Sequence, residues 1–172
     1  MESRVKLFGH PIHPMLIPFP LGLFTTSVFF DVVYLLTANG KWSEIAFWMI
    51  AAGVVGGLAA AVFGVIDWQA IPSGTRAKSV GLQHGGGNVV AIVLFIVSWL
   101  LRADAPGEPG AIPIVLSLVG VALAGLTGWL GGELVDRLGV GVDDGAHLNS
   151  PSSLSGRPAN EGSSGAQRAE RR

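Results

Sequence analysis

Four long apolar runs dominate the chain, divided by short polar stretches that carry Gly, Pro, Asn and charge. The runs cover residues 18–37, 45–66, 84–101 and 112–134. Each is close to the roughly 20 residues that a helix rising about 1.5 Å per residue needs to cross a bilayer. The separators TANGKWSE, DWQAIPSGTRAKSVGLQ and RADAPGEPG have turn chemistry. This pattern predicts an all-α fold, an integral membrane four-helix bundle with short loops, over residues 1–142. After Val142 the sequence becomes polar and rich in Ser, Gly and charge, so residues 143–172 are expected to form a disordered tail. The first run follows Arg4 and Lys6, as a secretory signal would. It is nevertheless long, contains prolines and Asp31, and lacks a convincing small-residue cleavage site, so it is expected to be retained.

Composition supports this reading and removes several functions. Only 13% of the 172 residues are charged, against about 25% in soluble domains, and mean hydropathy is +0.53. A formal net charge of -1 offers no basic surface for nucleic acid. The absence of cysteine excludes disulfides, thiolate metal sites and cysteine-ligated iron–sulfur clusters in this chain. The lipid bilayer is the expected partner, with a redox membrane protein or further copies of the chain in an oligomer as additional candidates.

The lysines and arginines near the span ends set an orientation. Arg4, Lys6, Arg76, Lys78 and Arg137 share one side of a four-span chain, and Lys41 and Arg102 the other. The excess of basic residues marks the cytoplasmic side, so both termini are expected in the cytoplasm of a cell whose inner membrane holds the protein.

Between helices in lipid, small residues that permit close backbone approach matter more than hydrophobicity. In the second run Ala52, Gly56, Ala60 and Gly64 form one ridge, with Gly53, Gly57 and Ala61 beside it; in the fourth, Gly120, Ala124, Gly128 and Gly132 have the same spacing. Both suit tight packing, within one chain or between chains. Asp31 lies inside the first run, where a carboxylate must face protein or water. Arg102, at the outer end of the third run, is within reach as its partner.

The ionisable groups converge on one end. His10 and His13 precede the first span in GHPIHPMLIPFP, and Asp67 and Trp68 close the second. His84 opens the third with Asn88 one turn deeper, and Glu133 and Asp136 close the fourth. Both histidines precede proline, which disfavours helix. A polyproline lead-in would project His10 and His13 from the same side. Four chemistries fit these residue types. A transition metal could be held by His10, His13, His84, Asp67 and Glu133, since imidazole and carboxylate together suit several such ions. A b-type haem could take His10 or His13 together with His84 as axial ligands, with Asn88 adjacent and glycines 85–87 leaving room for the porphyrin edge. Histidine with Asp67 or Glu133 could relay protons. The remaining option is capping and mutual hydrogen bonding at headgroup level. His147 in the tail is expected to be solvated. No Gly-x-Ser-x-Gly elbow, phosphate-binding glycine loop or HExxH occurs, and HGGGN at 84–88 stands without a nucleophile elbow.

GHPIHPMLIPFPLGLF, the Asp31 that follows, GVIDW at 64–68, HGGGN at 84–88 and GGELVDRLGVGV at 131–142 together resemble the bacterial membrane protein family of unknown function 2231, over about residues 7–142. The resemblance implies a small four-span protein, with fusions to Rieske iron–sulfur domains in some members and hence an association with redox chemistry. It also marks His10, His13, Asp31, Asp67, His84 and Glu133 as positions to test. A cysteine-free chain has no Rieske cluster of its own. The expected function is therefore a redox-associated membrane protein with a metal or haem at the cytoplasmic end. A non-enzymatic scaffold or assembly subunit, packing through the small-residue ridges, is the alternative.

Overall fold

The computed structural model describes residues 1–162. A two-residue-stranded hairpin, β1 (Lys6–Leu7) against β2 (His10–Pro11), leads into a short helix α1 (Ile12–Leu16). Four long helices follow: α2 (Pro18–Thr37), α3 (Gly40–Ala70), α4 (Arg76–Leu101) and α5 (Ala111–Gly132). The last continues as a π-helical turn over Glu133–Arg137. All four long helices, the first counted together with α1, are long and apolar enough to cross a membrane.

The expected spans fall inside these helices, but α3 and α4 extend beyond them because their ends are capped. The Asn39 side chain accepts from the Lys41 amide, starting α3 before the apolar run. The Thr75 hydroxyl accepts from the Lys78 amide, so RAKSVGLQ is helical instead of loop. Between α1 and α2, Pro18 has no N–H to donate back to Pro14, yet the axis continues through Ile17 N–H to His13 O and Leu21 N–H to Ile17 O. Beyond Val142, residues 143–162 form turns and a single 3-10 turn, Ser153–Ser155. The rest of the tail lies outside the described residues.

The helices run alternately up and down, so both ends of the described chain meet the same end of the bundle. α2 packs on α3, α4 on α5, α3 on α4 and α2 on α5; α2 and α4 therefore lie across a diagonal. Their side chains meet on the bundle axis. Phe24 and Phe95 stack at 3.9 Å with planes 6° apart, and with Ile50 they form the apolar centre. Towards the far end, Asp31 and Arg102 are 1% and 0% exposed and paired at 2.6 Å. Outward, Phe29, Leu36, Trp48, Val55, Leu126 and Trp129 are exposed, as a lipid-facing surface requires.

The glycines permit this closeness, though not all on the expected ridges. A Cβ on Gly53 would sit 2.6 Å from the Phe24 ring, one on Gly56 2.7 Å from Phe19, and one on Gly120 2.9 Å from Phe95. On α5, however, Gly128 meets nothing within 4 Å, and the inward position is Gly131. A strict four-residue repeat drifts around a helix of 3.6 residues per turn, so the packed line on α5 runs Gly120, Ala124, Thr127, Gly131. Gly53→Leu is accordingly expected to destabilise the bundle by about 1–3 kcal/mol through overpacking. Gly125→Leu, in open space, should leave stability unchanged; thermal unfolding in detergent compares them.

The two halves of the bundle repeat one another. The buried residues of α2 are Pro20, Phe24, Ser27 and Asp31; those of α4, after its first turns, are Ala91, Phe95 and Ser98, followed by the buried Arg102 that caps its end. The offsets 91 − 20, 95 − 24, 98 − 27 and 102 − 31 are all 71. On α3, Ala46, Phe47, Ile50, Gly53, Gly57 and Ala60 are buried, and on α5 Pro113, Ile114, Ser117, Gly120, Ala124 and Thr127, every pair offset by 67, as in 113 − 46 and 127 − 60. The fold is thus a helical hairpin and a second, equivalent hairpin about a pseudo-twofold axis along the bundle.

Candidate functional site

Asp67, the last acidic residue of α3, anchors the N-terminal segment. Its carboxylate accepts from the Ser3 hydroxyl at 2.8 Å and from the Arg4 amide at 2.8 Å. Val5 then accepts from the Ile12 amide, which fixes the start of α1. The tail clasps the same segment. The N-terminal ammonium donates to Gly139 O, Glu2 accepts from the Asp144 amide, and Lys6 pairs with Glu2 and Asp143. Donation to Asp143 and then Glu2 holds the Lys6 ammonium protonated beyond the ordinary lysine range.

The polyproline geometry expected around the two histidines does not form. Phe8 and Gly9 have φ of 51° and 82°, the paired left-handed residues of a tight hairpin turn. The helix then begins at Ile12, where Pro14 falls in the first turn and its missing N–H has no partner to lose. His10 and His13 consequently part company. His10 is exposed in β2, with Nε2 3.2 Å from Ser153 Oγ. His13, on α1, turns into the bundle and donates from Nδ1 to Ala60 O of α3 at 2.8 Å.

His84 does the same from the other hairpin. Its Nδ1 lies 2.7 Å from Thr127 O of α5. A carbonyl can only accept, so both histidines carry the proton on Nδ1 and leave Nε2 as the basic nitrogen. Asn88 is held beside it: its amide donates to His84 O at 3.0 Å and lies 3.3 Å from Nε2, while its oxygen accepts from the Thr127 hydroxyl. The two half-buried rings stand 6.3 Å apart, centre to centre, with planes 88° apart. Each rests on a glycine of its own hairpin. A Cβ on Gly64 would come within 2.7 Å of His13 Cε1, and one on Gly131 within 3.1 Å of His84 Cε1.

The carboxylates expected to join these imidazoles are engaged elsewhere. Asp67 holds the N-terminus, and Glu133 accepts from Arg76 at 2.6 Å, tying α5 to the start of α4. Among the described residues, no group of three or more His, Cys, Asp or Glu side chains comes together as a metal would need. Of the residues singled out in the sequence, the structure therefore unites His13, His84 and Asn88, and sets apart His10, Asp67 and Glu133. Trp68 packs against Gly81 and is covered by the Lys78 ammonium at 3.9 Å from the ring centre. Among the glycines expected to leave room near His84, Gly85 and Gly86 open onto free space, whereas Gly87 packs on Thr127. Ala60, Gly64, Thr127 and Gly131, which orient the rings, were not apparent from composition. Their signal is the internal repeat, since Gly64 and Gly131 are offset by the same 67 residues as the buried positions of α3 and α5.

Asp67→Ala leaves the Ser3 hydroxyl and Arg4 amide without their acceptor. It is expected to loosen the N-terminal segment by about 1–3 kcal/mol, seen as faster amide exchange over residues 3–12 with α4 and α5 unchanged.

This architecture defines a small integral membrane protein, a four-helix bundle with two imidazoles 6.3 Å apart at one end. The family model described as predicted membrane protein (DUF2231) matches residues 9–144, and the chain belongs to that family. No curated protein and no solved structure matches it.

Proposed function

We propose that the protein is a redox-associated membrane protein whose metal-centred cofactor, a transition metal or haem iron, is held between His13 and His84. The carrying observation is that two imidazoles from separate hairpins stand 6.3 Å apart with Nδ1 of each committed to a helix carbonyl, which leaves Nε2 as the coordinating nitrogen. That of His84 accepts from the Asn88 amide at 3.3 Å, a contact a ligand would displace. A carbonyl partner at the other nitrogen is the usual orienting contact of a metal-binding histidine. The spacing favours a ligand over a direct proton relay. Nitrogen–metal distances of about 2.0–2.1 Å on both sides place the ring centres roughly 6 Å apart when the donors are opposed, which fits 6.3 Å. A direct N–H···N bond of about 2.9–3.0 Å would draw them roughly 1 Å closer.

The termini-bearing end is read as cytoplasmic and the membrane as the inner one. Arg4, Lys6, Arg76, Lys78 and Arg137 stand at that end, while at the other Arg102 is buried in its ion pair and Lys41 is left. Protein purified from membranes should carry close to one equivalent of bound metal or haem per chain; a folded protein carrying neither refutes the reading. A scaffold role is supported by Gly125 and Gly128, which meet nothing within 4 Å on α5. Loss of an oligomer in Gly128→Leu, with no bound cofactor in the parent protein, would select it.

A further inference from the structure

We propose that the cofactor is a haem, its iron taking His13 Nε2 on one face and His84 Nε2 on the other, centred on the pseudo-twofold axis that relates the two hairpins. This rests on the reading of the pair as a ligand site and names what the site holds.

The histidines obey the same repeat as the buried positions, since 84 − 13 is 71 and 131 − 64 is 67. Their contacts repeat too. His13 meets Ala60 O and Gly64 on α3, as His84 meets Thr127 O and Gly131 on α5. Two equivalent donors thus approach the axis from diagonal helices at one depth. Three such pairs stack along the axis: His13 with His84, Phe24 with Phe95, Asp31 with Arg102. The last two pairs close on each other directly, in ring stacking and in a bidentate ion pair. The histidine pair alone is held apart, by a distance that suits an atom bound to both.

Coordination number then separates haem from a bare ion. Transition-metal sites in proteins mostly use three or four protein donors, commonly from histidine, cysteine and carboxylate. Here two imidazoles converge, and among the described residues no third His, Cys, Asp or Glu joins them. A tetrapyrrole brings four nitrogens in a plane and asks the protein for two axial donors only, on opposite faces. Its edges must extend towards the other diagonal, between α3 and α5. At the level of the two rings those helices offer Ala60, Gly64 and Gly131, with little or no side chain to obstruct a flat macrocycle, and Thr127, whose hydroxyl donates to Asn88 and whose methyl packs on Gly87. Neutral imidazoles also suit the low dielectric of the span, since each already has its proton on the carbonyl side.

The test uses the full chain, expressed in cells supplied with a haem precursor and purified in detergent. Haem and metals are quantified, and the oxidised protein is examined by absorbance and electron paramagnetic resonance. One haem per chain is expected, six-coordinate and low-spin. The signal should be strongly anisotropic, as nearly perpendicular axial imidazoles produce. His13→Gly and His84→Gly should each lose haem or become high-spin, and added free imidazole should restore the low-spin spectrum; circular dichroism confirms the fold. One equivalent of a metal without tetrapyrrole would overturn the haem and leave the ligand-site reading standing. Neither haem nor metal in folded protein would overturn both. Haem that stays low-spin in both glycine variants would place the axial ligands elsewhere and overturn the assignment.

Discussion

Asp31→Ala and Arg102→Ala are each expected to destabilise the bundle by about 3–5 kcal/mol, because either change leaves an unpaired charge in a water-free interior. The two residues are 1% and 0% exposed and share two hydrogen bonds of 2.6 and 2.7 Å. Arg102 also donates to Ser98 and Ser117, and Ser98 is in turn anchored on Pro113 O. The pair thereby joins α2, α4 and α5 at the end remote from the histidines. Thermal unfolding in detergent, or unfolding in sodium dodecyl sulfate, measures the loss. Because the two positions are equivalent in the repeat, the exchanged pair Asp31→Arg with Arg102→Asp should retain more stability than either single alanine. It should still fall short of the parent protein, since Ser98 and Ser117 are placed for a guanidinium on α4. An exchanged pair no better than the single variants would contradict the equivalence of the two halves.

His13→Ala and His84→Ala should produce the largest functional effect, at least a tenfold fall in bound cofactor, as removal of a ligand exceeds the 10–100-fold that loss of an orienting neighbour alone can cost. The stability change should be small by comparison, about 0.5–1.5 kcal/mol for the lost hydrogen bond. Asn88→Ala removes a neighbour, not a ligand, and should weaken retention less than His84→Ala. Cofactor content and an unfolding curve from the same preparation separate the two effects. Equal cofactor content in all three variants and the parent would count against the histidine pair.

Much of this fold was legible in the sequence because a membrane span is signalled by a long apolar run that few other elements imitate. The spans, their number and the Asp31–Arg102 partnership followed from that and from the cost of a lone charge in lipid. The ends of α3 and α4 were less legible, because Asn39 and Thr75 read equally well as loop residues and as caps. The site was legible in part. His13, His84 and Asn88 were placed at one end by counting helices, and they do meet there. Which of His10 and His13 faces the bundle is not legible, because both precede proline and share the same bias away from helix. In the chain, a hairpin turn at Phe8–Gly9 and a helix start at Ile12 give His10 and His13 different surroundings. For Asp67 and Glu133 topology gives the end of the bundle, yet it does not say that Ser3, Arg4 and Arg76 reach them first. The internal repeat is masked in the sequence because its offset changes from 71 on α2 and α4 to 67 on α3 and α5, and most residues between the buried positions differ. What it preserves is burial and backbone approach.

The proximity of His13 and His84 can be measured without reference to any cofactor, since the natural chain contains no cysteine. His13→Cys and His84→Cys combined in one chain should be joined within that chain by a short bifunctional thiol reagent, in native membranes, while neither single variant is. A double variant that reacts at both thiols yet links only to other chains, or not at all, would show that the two positions do not face each other across the bundle.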